Sequence, residues 1–150
     1  MKQKINLILI AMFALIISAC TKNNTLNLNN IDEHQWKLLS IATASGFSSP
    51  VPDIQHGNQN DRYLLTFNKE NHTVRMFLVA NWWDAQYSFL DQDSICLCGS
   101  TTTEVGYAGN EIWVEDTLNA YGSSKYRFLV NRERLVLHSD SMTLVFSLTQ

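Results

Sequence analysis

The chain has 150 residues, 45% of them apolar, with 11 Lys and Arg against 14 Asp and Glu. That length fits one folded domain, which at this size buries roughly two-thirds of the surface its unfolded chain exposes. The formal charge of −3 and the dispersed basic residues exclude a nucleic-acid partner, because phosphate neutralisation needs clustered Lys and Arg. Fifteen of the first 20 residues are apolar, and Lys2 and Lys4 lie among them, so the remaining 130 residues carry 9 basic against 14 acidic side chains, a charge of −5.

Residues 1–19 read as a signal peptide: Met1–Lys4 is basic, and of the 13 residues Ile5–Ile17 only Asn6 is polar. A helix of that length spans roughly 20 Å, short of the ~30 Å hydrocarbon core, so it suits an export signal better than a permanent span. The following Ile17-Ser18-Ala19-Cys20 resembles the lipobox of bacterial lipoproteins, an aliphatic residue and two small ones before an acylated cysteine. That resemblance implies lipidation at Cys20, with palmitate-type chains holding the protein on a membrane of the cell envelope. Thr21 rather than Asp after the cysteine points to the outer membrane. Residues 20–34 then form a tether, rich in Asn and poor in apolar side chains.

From residue 35 to 150, short apolar runs alternate with turn clusters, the pattern of antiparallel strands. Trp36–Ile41 is a first strand, preceded by a turn of helix over Ile31–Gln35, and Gly46–Asp61 is a long loop rich in Gly, Ser, Pro and Asn. Tyr63–Phe67 and Thr73–Ala80 flank a turn at Asn68–His72, and Gln86–Leu90 and Ser94–Cys98 flank a turn at Asp91–Asp93. Asn110 is placed to cap a helix from Glu111 to Leu118, with Trp113, Val114 and Leu118 as its apolar positions and Gly122 ending it. Lys125–Val130, Arg134–His138 and Met142–Leu148 close the chain as a meander. The expected fold is α+β, a mostly antiparallel sheet or open barrel with one covering helix, which must lie over a face or plug an end.

Tyr63–Phe67, then Ala80-Asn81-Trp82-Trp83-Asp84-Ala85-Gln86-Tyr87, then Ser100-Thr101-Thr102, the helix, and Tyr126…Leu135-Val136-Leu137…Leu144-Val145-Phe146, in that order, resemble the META-domain family of HslJ-like envelope proteins. Asn81 and Tyr87 occupy the family's places, whereas Ala80 stands where the family has Cys and no cysteine follows Thr102. The resemblance implies a compact α+β domain with a stress-related or accessory role and no catalytic residues. A lipocalin-like barrel is the competing assignment.

Four groups invite a chemical reading. Trp82, Trp83 and Tyr87 offer an aromatic platform for a partner, and adjacent tryptophans on a strand must face opposite sides. Cys96 and Cys98, two apart on a strand and about 6.5–7 Å between Cα atoms, sit at the limit for a disulfide and supply two soft ligands for a metal that would need further donors such as Met76 or His72. His138-Ser139-Asp140-Ser141 holds the residue types of a triad, but as turn neighbours they cannot take up its geometry. Glu111, Glu115 and Asp116 fit the positive end of a helix dipole, and His34, His56 and His72 stand apart without ligand spacing. No phosphate loop or nucleophile elbow occurs. The expectation is a non-enzymatic, lipid-anchored protein without cofactor or bound metal, its partners being the membrane and an envelope protein; a small apolar ligand carrier and a periplasmic inhibitor or secretion pilot are the alternatives.

Overall fold

The computed structural model describes residues 28–51, 62–103, 112–131 and 133–149. The signal peptide, Cys20, most of the tether, His56, most of the 46–61 loop, Asn110 and Glu111 lie outside them.

A short 3-10 helix, Leu28–Glu33, leads into β1 (Trp36–Thr43) and the short β2 (Ser48–Pro50). Then follow β3 (Leu64–Asn68), β4 (Thr73–Phe77), β5 (Trp82–Phe89) and β6 (Ser94–Thr102). Helix α1 (Ile112–Tyr121) precedes β7 (Ser124–Val130), β8 (Arg134–His138) and β9 (Met142–Leu148). Strands β3 to β9 pair in chain order, all antiparallel, and β1 joins β3 to β9, from Trp36 opposite Leu148 to Thr43 opposite Met142. Eight strands therefore close into a barrel rather than an open sheet. The β1–β3 seam is narrow, with only Trp36–Leu65 and Lys37–Leu64 paired; above it β2 takes the free edge of β1 at Ser40–Ala42. At this seam Tyr63 adopts a left-handed backbone (φ 58°), donates its amide to Phe77, accepts from the amide of Leu38, and is itself part of the core.

Alternation along each strand fills the interior. Trp36, Leu38, Leu65, Val74, Met76, Trp83, Ile95, Tyr126, Phe128, Leu135, Leu137 and Phe146 are all at most 2% exposed and form one cluster. At roughly 25 cal/mol per Å² of apolar surface removed from water, burial on this scale is the main stabilising term. Arg134–His138 and Met142–Leu148 are strands over their whole expected spans. β5 begins at Trp82, four residues before the expected start; β6 runs on to Thr102; and the expected 73–80 strand ends at Phe77. The β6 extension passes through a bulge, where three steps from Cys98 to Thr101 oppose two from Gln86 to Asp84, and Gly99 supplies the left-handed residue (φ 63°) such a bulge takes.

The two barrel ends are closed differently. At the end where β6 finishes and β7 starts, α1 turns Val114 and Leu118 into the core, so it plugs the barrel and covers no sheet face. Asn81 donates to both carboxylate oxygens of Glu115 (2.8 and 3.0 Å), Thr102 donates to Asn119, and the Tyr126 hydroxyl donates to the carbonyls of Tyr121 and Gly122 (3.1 Å each). At the opposite end Ile31 of the 3-10 helix is buried, and its carbonyl accepts from Trp36 Nε1 (2.7 Å). Asp32 there receives the Tyr87 hydroxyl (3.2 Å) and pairs with Lys69 (3.4 Å). Ile31 and Asp32, within the span expected as tether, thus pack on this end of the barrel.

Candidate functional site

The period of two along β5 divides the expected aromatic platform. Trp82 faces outward and is 40% exposed, while Trp83 (1%) and Tyr87 (5%) are core side chains. Trp83 and Tyr87 therefore leave the candidate binding set. Trp82 remains, and the strand registers build a surface around it that single-residue reading missed.

Three rows of outward side chains run across this face, one over β4 and β5 and two over β3, β4 and β5. Phe77 lies opposite Trp82, Thr66 opposite Arg75 and Arg75 opposite Asp84, and Asn68 opposite Thr73 and Thr73 opposite Gln86. The Trp82 ring leans on Phe77 (centroids 4.6 Å apart, tilted 38°), and the Arg75 guanidinium sits 5.1 Å over its centre. Arg75 Nε and Nη2 donate to the two oxygens of Asp84 (2.6 and 3.3 Å), a bond that keeps the guanidinium protonated above even its ordinary range. The backbone of Trp82 is held as well: its amide donates to Thr103 Oγ1 (2.9 Å), and its carbonyl accepts the Thr103 amide (3.1 Å). The Thr103 hydroxyl in turn donates to Asn81 (3.1 Å), which ties this corner to α1. The indole is thus exposed but fixed, so a ligand stacking on it would forfeit little side-chain entropy.

This face forms an open groove of about 690 Å³, running from Trp82 and Asp84 past Arg75 and Thr66 to Asn68 and Gln35. It presents one aromatic face, a cation already paired with its carboxylate, hydroxyls and amides. Such a set offers one stacking surface and several hydrogen-bonding groups. It brings no nucleophile and base together, and among the described residues no three of His, Cys, Asp and Glu converge as metal ligands. The signal for Arg75 and Asp84 was present in their opposite charges nine residues apart across a hairpin, but only a register makes them partners.

Cys96 and Cys98 are joined as a disulfide, with Cα atoms 5.8 Å apart. They lie on the outer face of β6, because Ile95 and Leu97 point inward. Met76 is inside the barrel and cannot share a metal with them. The bridge closes a loop of three residues, and on the chain-entropy relation that contributes only about 1.6 kcal/mol. The His138–Ser141 segment is the β8–β9 turn: Ser139 Oγ accepts the amides of Met142 (3.1 Å) and Ser141 (3.3 Å), and His138 Nδ1 lies 2.7 Å from Thr143 Oγ1. No triad forms there.

No family model matches the chain, and no curated protein matches it. The fold does recur in solved structures. A protein from Burkholderia xenovorans solved by NMR superposes with a TM-score of 0.63 at 15% identity, covering 87% of this chain and 94% of that one. A second NMR structure gives 0.57 at 13% identity, over 83% of this chain and 96% of that one. Likeness at this identity establishes a shared mostly antiparallel barrel with one helix, and nothing about what the proteins bind.

Proposed function

We propose that this chain is a non-enzymatic, lipid-anchored binding module of the bacterial cell envelope, with a META-like domain that takes a protein partner on the outer β3–β4–β5 face. The observation that carries this reading is the fixed, exposed Trp82 beside the Arg75–Asp84 pair at the rim of an open groove. Ordered exposed tryptophan and arginine are the side chains most often found at the energetic centre of a protein interface. The lipobox-like Cys20 supplies the anchor, and the envelope, most readily the outer membrane, supplies the setting.

A closed eight-stranded barrel is also the architecture of small-ligand carriers. Here the interior positions that would line a ligand chamber hold Trp36, Trp83, Tyr126, Phe128 and Phe146, each at most 2% exposed. The interior is filled and the groove is open, which favours the outer face even for a small ligand and the protein-partner reading over the carrier.

The test is crosslinking in intact envelopes with the full-length protein as bait, followed by purification of the captured protein and a direct binding measurement. Trp82→Ala should weaken binding at least about tenfold, corresponding to ~1.4 kcal/mol or more, and leave the unfolding midpoint within about 0.5 kcal/mol of wild type. Unchanged binding by a clearly destabilised Trp82→Ala protein would make the indole a packing residue and end the proposal.

A further inference from the structure

On the barrel wall beyond β5, outside the Trp82 groove, Cys96 and Cys98 form a bridge with three properties that set it apart from a structural one. It links near neighbours on one strand, both already paired with β5 and Cys96 also with β7, so the fold brings the two together without it. One of its sulfurs belongs to an exposed residue, Cys98, whereas Cys96 is buried. The surroundings of Cys98 are also open: the β7 ladder ends at Leu97 opposite Ser124, and the following Gly99 has no heavy atom near where a side chain would stand.

We infer that Cys96–Cys98 is a thiol–disulfide exchange site whose substrate is a protein or peptide dithiol. The asymmetry assigns the roles. A substrate thiolate attacks Sγ of exposed Cys98 and forms a mixed disulfide, while the Cys96–Cys98 bond breaks and its electron pair leaves on Sγ of Cys96. The substrate's second thiolate then attacks its own sulfur in that mixed disulfide and releases Cys98 as a thiolate. The substrate ends as a disulfide and the cysteine pair as a dithiol: two electrons and two protons pass from substrate to the cysteine pair, the protons by way of solvent, with none released net. A second protein disulfide running the same steps in reverse would restore the bridge. Cys96 lies between Ser88 and Lys125 in the strand registers, and the lysine is the outward charge facing it from β7, which favours the departing thiolate.

The bridge lies on β6, the strand next to the β3–β4–β5 face, with Cys98 opposite Gln86, and its readout, thiol adducts and peptide oxidation, does not depend on the partner-binding reading. Its test is stopped-flow oxidation of a reduced dithiol peptide by the full-length protein, with acid quenching, alkylation and peptide mapping so that Cys20 is scored separately. Wild type should oxidise one peptide per chain, at least about tenfold faster than the Cys96→Ser, Cys98→Ser double variant. Cys96→Ala alone, pre-activated as a mixed disulfide with a chromogenic thiol, should carry the peptide adduct on Cys98. Adducts on Cys96 in wild type, or a peptide rate equal to that of the double variant, would overturn the assignment. As a check that does not depend on variants folding, wild type reduced by a phosphine should keep its circular dichroism and melt cooperatively; loss of the fold would make the bridge structural and equally overturn it.

Discussion

The two ends of the barrel solve one problem with different means. One receives a ten-residue helix that brings Val114 and Leu118 into the core and is clamped by Glu115, Asn119 and the Tyr126 hydroxyl. The other receives a six-residue 3-10 helix with Ile31 as its plug. Connectivity explains the difference. At the second end the β3–β4, β5–β6 and β7–β8 links are tight turns, so the incoming chain alone can lie across the opening. At the first end the long β6–β7 connection has room for a helix.

Because one side chain closes the second end, Ile31→Ala should have the largest effect, about 3 kcal/mol in urea unfolding, as the cavity it leaves has no neighbouring plug to collapse into it. At the helical end, a Cβ on Gly122 would stand 2.4 Å from the Leu118 carbonyl oxygen and 3.0 Å from Trp83, so Gly122→Ala should cost about 2 kcal/mol by pushing α1 off its seat. If Gly122→Ala proves the costlier, the helix rather than the turn is the principal plug.

Tyr126→Phe removes the hydroxyl that satisfies two carbonyls at the end of α1 and should cost about 1 kcal/mol. The same variant separates the ends by pH. Burial raises the pKa of Tyr126 above its ordinary 10, and burial followed by the charge of Asp32 raises that of Tyr87. The neutral forms are thus favoured by folding, so their contribution is fully present below pH 10 and is lost as pH rises beyond it towards the folded values. Melting temperature should fall above pH 10, and Tyr126→Phe should flatten that fall more than Tyr87→Phe does. The smallest effect belongs to Lys69→Ala: its ion pairs with Asp32 and Glu33 are solvent-exposed on the lysine side, so the midpoint in the same urea titration should stay close to that of wild type.

The elements that were legible in the sequence are those whose alternation is clean. Arg134-Leu135-Val136-Leu137-His138 and the run from Met142 place their buried residues at every second position and became strands at their expected limits. β5 was misread at its start because its outward residue is Trp82 and one inward residue is the small Ala85, so the hydropathy contrast that marks a face is inverted there. β2 carries no apolar pattern at all; Ser48-Ser49-Pro50 is a strand only because β1 has a free edge. Closure of the barrel and the Arg75–Asp84–Trp82 cluster are products of long-range register, which local propensity does not encode. The turn at Ser139, by contrast, was legible, since a serine that accepts amides two and three residues on is local chemistry.

The β1–β9 ladder also sets a timetable. Its two strands lie far apart in the sequence, Trp36 against Leu148, so the seam cannot close until β9 has been made. A chain halted before Met142 would present two bare strand edges, on β1 and β8, to every other such chain nearby, and its expected fate is edge-to-edge aggregation.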